Sequence, residues 1–180
     1  IHEIGHTLGL KHPHDNGGTN RPTFDDINIG NLDSDIFSIM SYNDSYNFNQ
    51  LGWDPSTPML LDVLALQYLY GKNESTNVGS GSYELQKTNQ YVTIWDASGN
   101  DTVDASNSDE GWSIFLPDIQ PSTLVDTRAG VAYLSSEIDL LAPTTLYWLT
   151  GDIENPLFSK DIIKKLINIT CLIYSPKKCE

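Results

Sequence analysis

Residues 2–12 of the chain read HEIGHTLGLKH, and the interpretation of the whole sequence starts from this stretch. Apolar residues at positions 1, 4, 8 and 10 predict the end of a helix, on which His2 and His6, four residues apart, share one face. Gly9 predicts a left-handed residue at which the helix ends and the chain reverses. The reversal would bring His12 back towards the other two imidazoles.

Histidines in this spacing are typical ligands of a single metal ion. Three neutral nitrogens with a fourth position open describe a catalytic zinc site rather than a closed structural one. Glu3 would point towards the open position, where zinc lowers the pKa of water to about 7, and would take the proton as that water attacks a peptide carbonyl. The alternative is a surface helix with chance histidines, but five such fixed positions coincide in only about one chain in 10⁵ of this length. His14 is a further candidate for contact with the metal.

The rest of the sequence differs in residue composition and patterning from one segment to the next. Residues 13–58 are rich in Gly, Pro, Asn and Asp, which predicts loops. The segment 59–70, MLLDVLALQYLY, predicts a buried helix that Thr57 caps and Gly71 ends. Residues 72–158 alternate β-branched and aromatic segments with polar turns and are predicted to be rich in β structure. The predicted strands are 91–96, 112–116, 130–134 and 145–149. The tail carries both helical spacing and β-branched residues, and its secondary structure stays open.

Composition excludes several classes of function. The 180 residues carry 24 acidic and 10 basic side chains, a net charge of −14, which disfavours binding to nucleic acid phosphates. No apolar run approaches the roughly 18 residues needed to cross a bilayer. Residues 1–158 carry 22 acidic and 5 basic side chains, whereas residues 159–180 carry 2 and 5, which predicts a boundary near Phe158. Both cysteines lie in that tail, so the acidic body needs no disulfide.

Several motifs carry a resemblance to one family. HEIGHTLGLKHP resembles the long zinc signature of the metzincin metallopeptidases, and Pro13 resembles their serralysin branch. FSIMSY, residues 37–42, resembles the serralysin form of the methionine turn. On this resemblance Met40 is an apolar floor beneath the histidines, while Tyr42 ligates zinc at rest and stabilises the oxyanion during the reaction. TPMLLDVLALQYLYG, residues 57–71, resembles the helix that closes the serralysin protease domain.

The resemblance implies a fold and an activity. We expect an α+β chain in which residues 1–70 form the lower subdomain of a metzincin protease domain, with zinc helix, methionine turn and closing helix. Residues 71–158 would begin a calcium-binding β-roll, and residues 159–180 would be an atypical basic tail. The implied function is that of a secreted, extracellular and monomeric zinc endopeptidase acting on proteins or peptides, with Glu3 as general base. Because Ile1 directly precedes the cluster, we interpret the chain as a fragment that is inactive alone and binds zinc weakly.

The segment 95–104, WDASGNDTVD, suits calcium because it places carboxylates on a turn rich in Gly and Asn. The residues alone leave a solvated acidic loop as an equal alternative. The resemblance implies a β-roll of the repeats-in-toxin type with two calcium sites. The first would use oxygens of Asn77, Gly79, Gly81, Asp96, Ser98 and Asp101. The second would use oxygens of Gly99, Asp101, Asp152 and Glu154.

The sequence also departs from the family pattern. Asn77 stands where the family often has Arg, and Ser98 stands where it usually has Gly, so Ser98 must tolerate the geometry of the turn. No glycine follows Gly151, so the tail lacks G-G-x-G-x-D repeats and export by the family's C-terminal route is in question. Two alternatives to an active protease stay open: a calcium-binding module with a relic metal site, and a structural zinc site closed by Tyr42 or His14.

Overall fold

A computed structural model describes residues 1–16, 21–44, 54–115, 130–135 and 145–150. These residues divide into two compact units. One contains residues 1–16, 21–44 and 57–72, and the other contains residues 54–56, 73–115, 130–135 and 145–150. The described residues form a mixed α+β structure, in which no helix combines the length and the apolar character needed to cross a bilayer. The assignment of residues 1–70 and 71–158 to two domains of a protease stays a prediction.

The first unit begins with the short helix α1, His2–Thr7. The helix ends in a Schellman motif, in which the amide of Gly9 donates to the carbonyl of His6 at 3.0 Å and the amide of Leu10 to that of Gly5 at 2.9 Å. Gly9 has φ 97°, which a residue with a Cβ adopts only at a cost. The predicted reversal at Gly9 is therefore confirmed. Two short 3-10 turns, Asp25–Ile27 and Gly30–Leu32, follow.

The second helix of this unit, α2, spans Leu60–Tyr70. Gly71 ends it with φ 87°, as predicted, but the prediction that Thr57 caps it is wrong. The carboxylate of Asp62 accepts the amide of Met59 at 2.8 Å instead. The first turn of α2 is buried, whereas Tyr68 and Tyr70 near its end are 51% and 65% exposed. The prediction of a buried helix therefore holds for the first turn and fails at the C-terminal end.

The core of the first unit lies between α2 and the loops that precede it. Its buried apolar residues are Leu10, Phe24, Ile29, Leu32, Ile36, Phe37, Ile39, Met40, Met59, Leu60 and Leu61. Most of these come from loop segments that carry no periodic pattern. Parts of the loop region predicted over 13–58, at Phe24, Ile29 and Leu32 and at four positions within 36–40, are therefore buried in this core.

The second unit contains six described strands: β1, Ser82–Glu84; β2, Tyr91–Trp95; β3, Thr102–Asp104; β4, Trp112–Phe115; β5, Gly130–Leu134; and β6, Leu146–Thr150. β1 and β3 form a two-stranded parallel sheet. The other four form a sheet in the order β2-β6-β5-β4, in which β2 and β6 run parallel and the remaining pairs are antiparallel. The four predicted strands correspond to β2, β4, β5 and β6.

The mixed sheet packs one face over a small apolar cluster. Leu85, Ala132, Tyr147 and Leu149 are buried there. β1 and β3 escaped prediction because SYE and TVD are too short and too polar to give an alternating pattern. The described strands do not establish a parallel β-roll, since two of the three pairs in the larger sheet are antiparallel. The β-roll stays a prediction.

Candidate metal centre

The three predicted histidines meet at one point. The Nε2 atom of His12 lies 3.2 Å from Nε2 of His2 and 3.1 Å from Nε2 of His6. Among the described residues these three are also the group of potential metal ligands whose donor atoms all lie within 4.8 Å of one another. α1 supplies two of them from one face, and the reversal at Gly9 returns the third.

The protein orients two of the rings through their other nitrogen. Nδ1 of His2 donates to the carbonyl of Ile39 at 2.6 Å, and Nδ1 of His6 donates to the carbonyl of Leu10 at 2.9 Å. A proton held on Nδ1 leaves the lone pair on Nε2, which is the atom that faces the other histidines. The turn after α1 therefore does two things: it returns His12 and it provides the acceptor for His6.

The environment of His12 also favours a neutral ring. Burial, followed by the neighbouring His6, His2 and His14, lowers the pKa of His12 below its usual range. The adjacent Lys11 is buried and donates from Nζ to the carbonyls of His12 at 3.2 Å and Asp15 at 2.5 Å. Lys11 thus braces the loop that carries the third histidine.

A methionine lies under α1. Met40 is only 1% exposed, and a Cβ placed on Gly5 would come within 2.6 Å of its sulfur. The glycine therefore allows the helix to approach the methionine turn closely. The sequence does not single out Gly5, because a glycine in a short helix gives no signal of what packs against it.

Two other predicted residues, Tyr42 and His14, lie beside the histidine rings. The ring of Tyr42 lies 4.4 Å from that of His12 and 5.5 Å from that of His2, and Tyr42 is 64% exposed. His14 stacks on the outer side of His12 at 5.2 Å and is not one of the three convergent residues. The side chain of Glu3 is exposed on α1.

This donor set fits zinc. A tetrahedral ion with bonds of 2.0–2.1 Å to nitrogen separates its ligand atoms by about 3.3 Å, which the nitrogen separations of 3.2 and 3.1 Å approach. At such distances, converging lone pairs repel one another unless a metal ion, or a proton carried by one of the nitrogens, lies between them. Three imidazoles, with no carboxylate or thiolate in the group, are ligands that zinc prefers.

The predicted calcium ligands of the first site lie on two turns that come together. The amide of Gly79 donates to the carbonyl of Ser98 at 2.7 Å, and a Cβ on Gly99 would come within 2.6 Å of the Gly79 oxygen. Asp101 accepts the amide of Gly81 at 2.7 Å. Asp96 accepts the hydroxyl of Tyr83, and burial followed by this bond raises the pKa of Tyr83.

The backbone accommodates both residues at which the sequence departs from the family pattern, Asn77 and Ser98. Asn77 takes up the left-handed conformation, with φ 54°, and its side chain donates to the carbonyl of Trp95 at 2.7 Å. Ser98 is not among the described residues with positive φ, so its side chain meets no backbone penalty. Asp152 and Glu154, predicted for the second site, lie outside the described residues, as does the tail 159–180.

One residue of the centre escaped sequence analysis although a signal was present. Asp62 is the only charged residue in the apolar helix LLDVLALQYLY. It is 3% exposed and contacts the methionine turn through Ser38 and Ile39. Burial raises the pKa of Asp62 to about 6, against the opposite effect of the three hydrogen bonds it accepts. An isolated acid on an apolar helix surface indicates a buried polar partner elsewhere in the chain.

The fold and the site together define a class: an α+β protein in which two histidines of a short helix and a third after its closing turn form a candidate metal site above a buried methionine. Comparison with known proteins identifies relatives of this chain. The serralysin of Proteus mirabilis is 35% identical over 177 residues, which cover 87% of this chain and 34% of that protein. Metallopeptidase AprA of Pseudomonas marginalis is 38% identical over 135 residues, 64% of this chain and 28% of that protein. Serralysin C of Dickeya chrysanthemi is 37% identical over 135 residues, 65% of this chain and 28% of that protein.

These matches confirm the resemblance to the serralysins, and the chain is homologous to part of these metalloproteases. It spans about a third of the length of the relatives it matches. No protein-family model matches the chain.

Proposed function

We propose that the chain carries the zinc-binding and catalytic residues of a secreted, serralysin-type zinc endopeptidase that cleaves proteins or peptides. The observation that supports this most strongly is the convergence of three Nε2 atoms. Nε2 of His12 lies 3.2 Å from that of His2 and 3.1 Å from that of His6, while Nδ1 of both His2 and His6 donates to a backbone carbonyl. A metal-binding arrangement of this kind orders the ligands before the ion arrives.

Each residue of the site has a distinct role. His2, His6 and His12 hold zinc through Nε2. The bound ion supplies Lewis acidity towards the scissile carbonyl and lowers the pKa of water to about 7. Glu3, on the exposed side of α1, accepts the proton of the attacking water and passes it to the leaving amine. Tyr42, exposed beside the histidine rings, donates its hydroxyl to the oxyanion.

We further propose that the second unit binds calcium through the two turns that meet at Gly79 and Gly99. The turns bring backbone carbonyls and the carboxylates of Asp96 and Asp101 into one region. Action outside the cell and as a monomer is part of the same proposal. The net charge of −14 agrees with protein substrates better than with nucleic acid.

Zinc binding and hydrolysis are tested separately. In a protein of full serralysin length that carries residues 1–180, zinc affinity is measured by competition with a chromophoric chelator, with His6→Ala as the ligand variant and Glu3→Gln as the matched variant on the same helix. We expect one zinc per chain at saturation, loss of tight binding in His6→Ala, and unchanged affinity in Glu3→Gln. Equal zinc affinity in His6→Ala would contradict the ligand assignment.

Peptide hydrolysis is measured in a protein of full serralysin length that carries residues 1–180. Glu3→Gln removes the base and keeps the ligands, so hydrolysis should fall by at least the roughly 10²–10⁴-fold that general base catalysis contributes. Inhibition by a hydroxamate would separate the enzyme from a relic site or from a structural zinc site closed by Tyr42 or His14. A Glu3→Gln protein that keeps full hydrolytic activity would contradict the role of Glu3 as general base.

A further inference from the structure

Asp62 is a buried carboxyl group that is neither one of the proposed zinc ligands nor the proposed general base, Glu3. It is 3% exposed and lies in the first turn of α2, a helix that is otherwise apolar or neutral. A helix of this kind needs one acceptor for its first amides, and an exposed polar side chain meets that need without burying a charge. The burial of Asp62 therefore requires another explanation.

Its contacts supply one. One carboxylate oxygen accepts the hydroxyl of Ser38 at 2.8 Å, and the other accepts the amides of Ile39 and Met59, both at 2.8 Å. Two of the three donors belong to the methionine turn, which precedes α2 by about twenty residues. Asp62 thus fastens the methionine turn to the start of α2.

The contact between Asp62 and Ser38 is connected to His2 through one peptide group, that between Ile39 and Met40. The hydroxyl oxygen of Ser38 accepts the amide of Met40 at 3.0 Å, and this amide shares its peptide plane with the carbonyl of Ile39. That carbonyl accepts Nδ1–H of His2 at 2.6 Å. A continuous path of hydrogen bonds therefore runs from the Asp62 carboxylate to the His2 ring.

We propose that Asp62 is a positioning residue of the metal centre, which fixes the tautomer and the orientation of His2 through Ser38 and the Ile39–Met40 peptide. The proposal rests on the proposed zinc function. A carboxylate at the start of the path polarises each bond along it and makes the Ile39 carbonyl a better acceptor. The proton then stays on Nδ1 of His2, and Nε2 presents its lone pair to the ion.

The test compares four variants with the unchanged 180-residue chain. Asp62→Ala removes the path, whereas Asp62→Asn keeps an acceptor for the amides of Ile39 and Met59 and replaces the charge. Leu60→Ala, on the same helix turn, is a control for lost stability, because Leu60 is 2% exposed and takes part in none of the hydrogen bonds of the path. Asp26→Asn is a control for lost charge at an exposed position of the same unit.

Two readouts are measured on each variant. Zinc affinity is determined by chelator competition, and the tautomer of His2 is read in the metal-free chain from long-range ¹H–¹⁵N correlations of its ring. Outer-shell changes of this type weaken metal binding by about 10–100-fold. We expect that loss in Asp62→Ala, together with a mixed tautomer of His2, and a smaller loss in Asp62→Asn. Leu60→Ala and Asp26→Asn should keep both the affinity and the Nδ1–H tautomer.

If Asp62→Ala fails to fold, Ser38→Ala takes its place, because it cuts the path at Ser38 and leaves the bonds of Asp62 to both amides. A variant that cuts the path but keeps the zinc affinity and the Nδ1–H tautomer would overturn the inference. Equal losses in Leu60→Ala would also overturn it, since they would trace the effect to stability. If the unchanged chain binds no zinc, the proposed function fails, and the tautomer measurement, which needs no metal, still decides the role of Asp62.

Discussion

At the scale of single residues, the centre depends on which atom of each side chain is engaged. His2 and His6 each use Nδ1 for a backbone carbonyl and keep Nε2 for the point where the rings converge. The HExxHxxGxxH spacing predicts the convergence, because it reflects helix geometry. It does not predict the two acceptors, Ile39 and Leu10, since any carbonyl near the ring would serve.

Tyr42 permits a test at this scale. Its ring lies 4.4 Å from that of His12, and at 64% exposure it is held by no core packing that would oppose movement of the ring. If its hydroxyl stabilises the oxyanion, Tyr42→Phe should lower kcat by about 10²–10³-fold with a smaller change in KM, because the contact matters most in the transition state. The measurement is steady-state peptide hydrolysis by the protein of full serralysin length. An unchanged kcat would show that the ring only packs beside the metal site.

At the scale of elements, α1 is too short to hold its histidines by itself. Six residues fall below the roughly 12–15 needed for even marginal stability of a free helix in water. The helix is held instead by the Schellman motif at its end and by close packing of Gly5 on Met40. The sequence predicted the position of this helix, but the contact that makes it stable comes from a residue more than thirty positions away.

The glycine at the end of α1 gives a prediction for this scale. Gly9→Ala places a Cβ at φ 97°, which costs about 1–2 kcal/mol and disturbs the turn that returns His12. Gly71→Ala is a matched control, because Gly71 also ends a helix with positive φ, at 87°, and a Cβ there meets no atom within 4 Å. Both variants should lower the melting temperature of the chain, and only Gly9→Ala should weaken zinc binding markedly. Equal zinc affinity in both variants would contradict the role of the turn.

The two helices also show where local patterns fail. The residue type favoured Thr57 as the N-terminal cap of α2, since threonine is common at the position just before a helix. The structure uses Asp62 because its carboxyl group also serves Ser38 and Ile39, and one buried group then meets the needs of two segments. Tertiary contact outweighed propensity at this helix start.

At the scale of the whole molecule, the distribution of charge is the main feature. Residues 1–158 carry 22 acidic side chains against 5 basic ones, and such an excess destabilises a compact state by self-repulsion. Bound calcium would relieve that repulsion where carboxylates cluster on the turns of the second unit. The charge pattern and the predicted ligands thus point to the same cation.

Calcium gives a prediction for the whole chain. Addition of calcium should raise the melting temperature and the β-sheet content measured by circular dichroism, with no matching effect from magnesium. Asp101→Ala should reduce the effect most, because Asp101 is predicted in both sites and lies beside Gly81 and Gly99. Asp109→Ala removes an exposed acid outside the predicted ligands and should keep the full response. Identical melting in calcium and in chelator would defeat the prediction.

Patterns among neighbouring residues predict the features that depend on short stretches of the chain. These features are the convergence of the three histidines, the reversal at Gly9, the ends of both helices at glycine and the four longer strands. The packing beneath and behind the histidines is set by tertiary contacts: Met40 against Gly5, the carbonyl of Ile39 against His2, and Asp62 behind them. These contacts join segments 20 to 40 residues apart, and a buried hydrogen bond between distant segments leaves no period in a sequence. The packing of the core determines which acceptor and which donor meet.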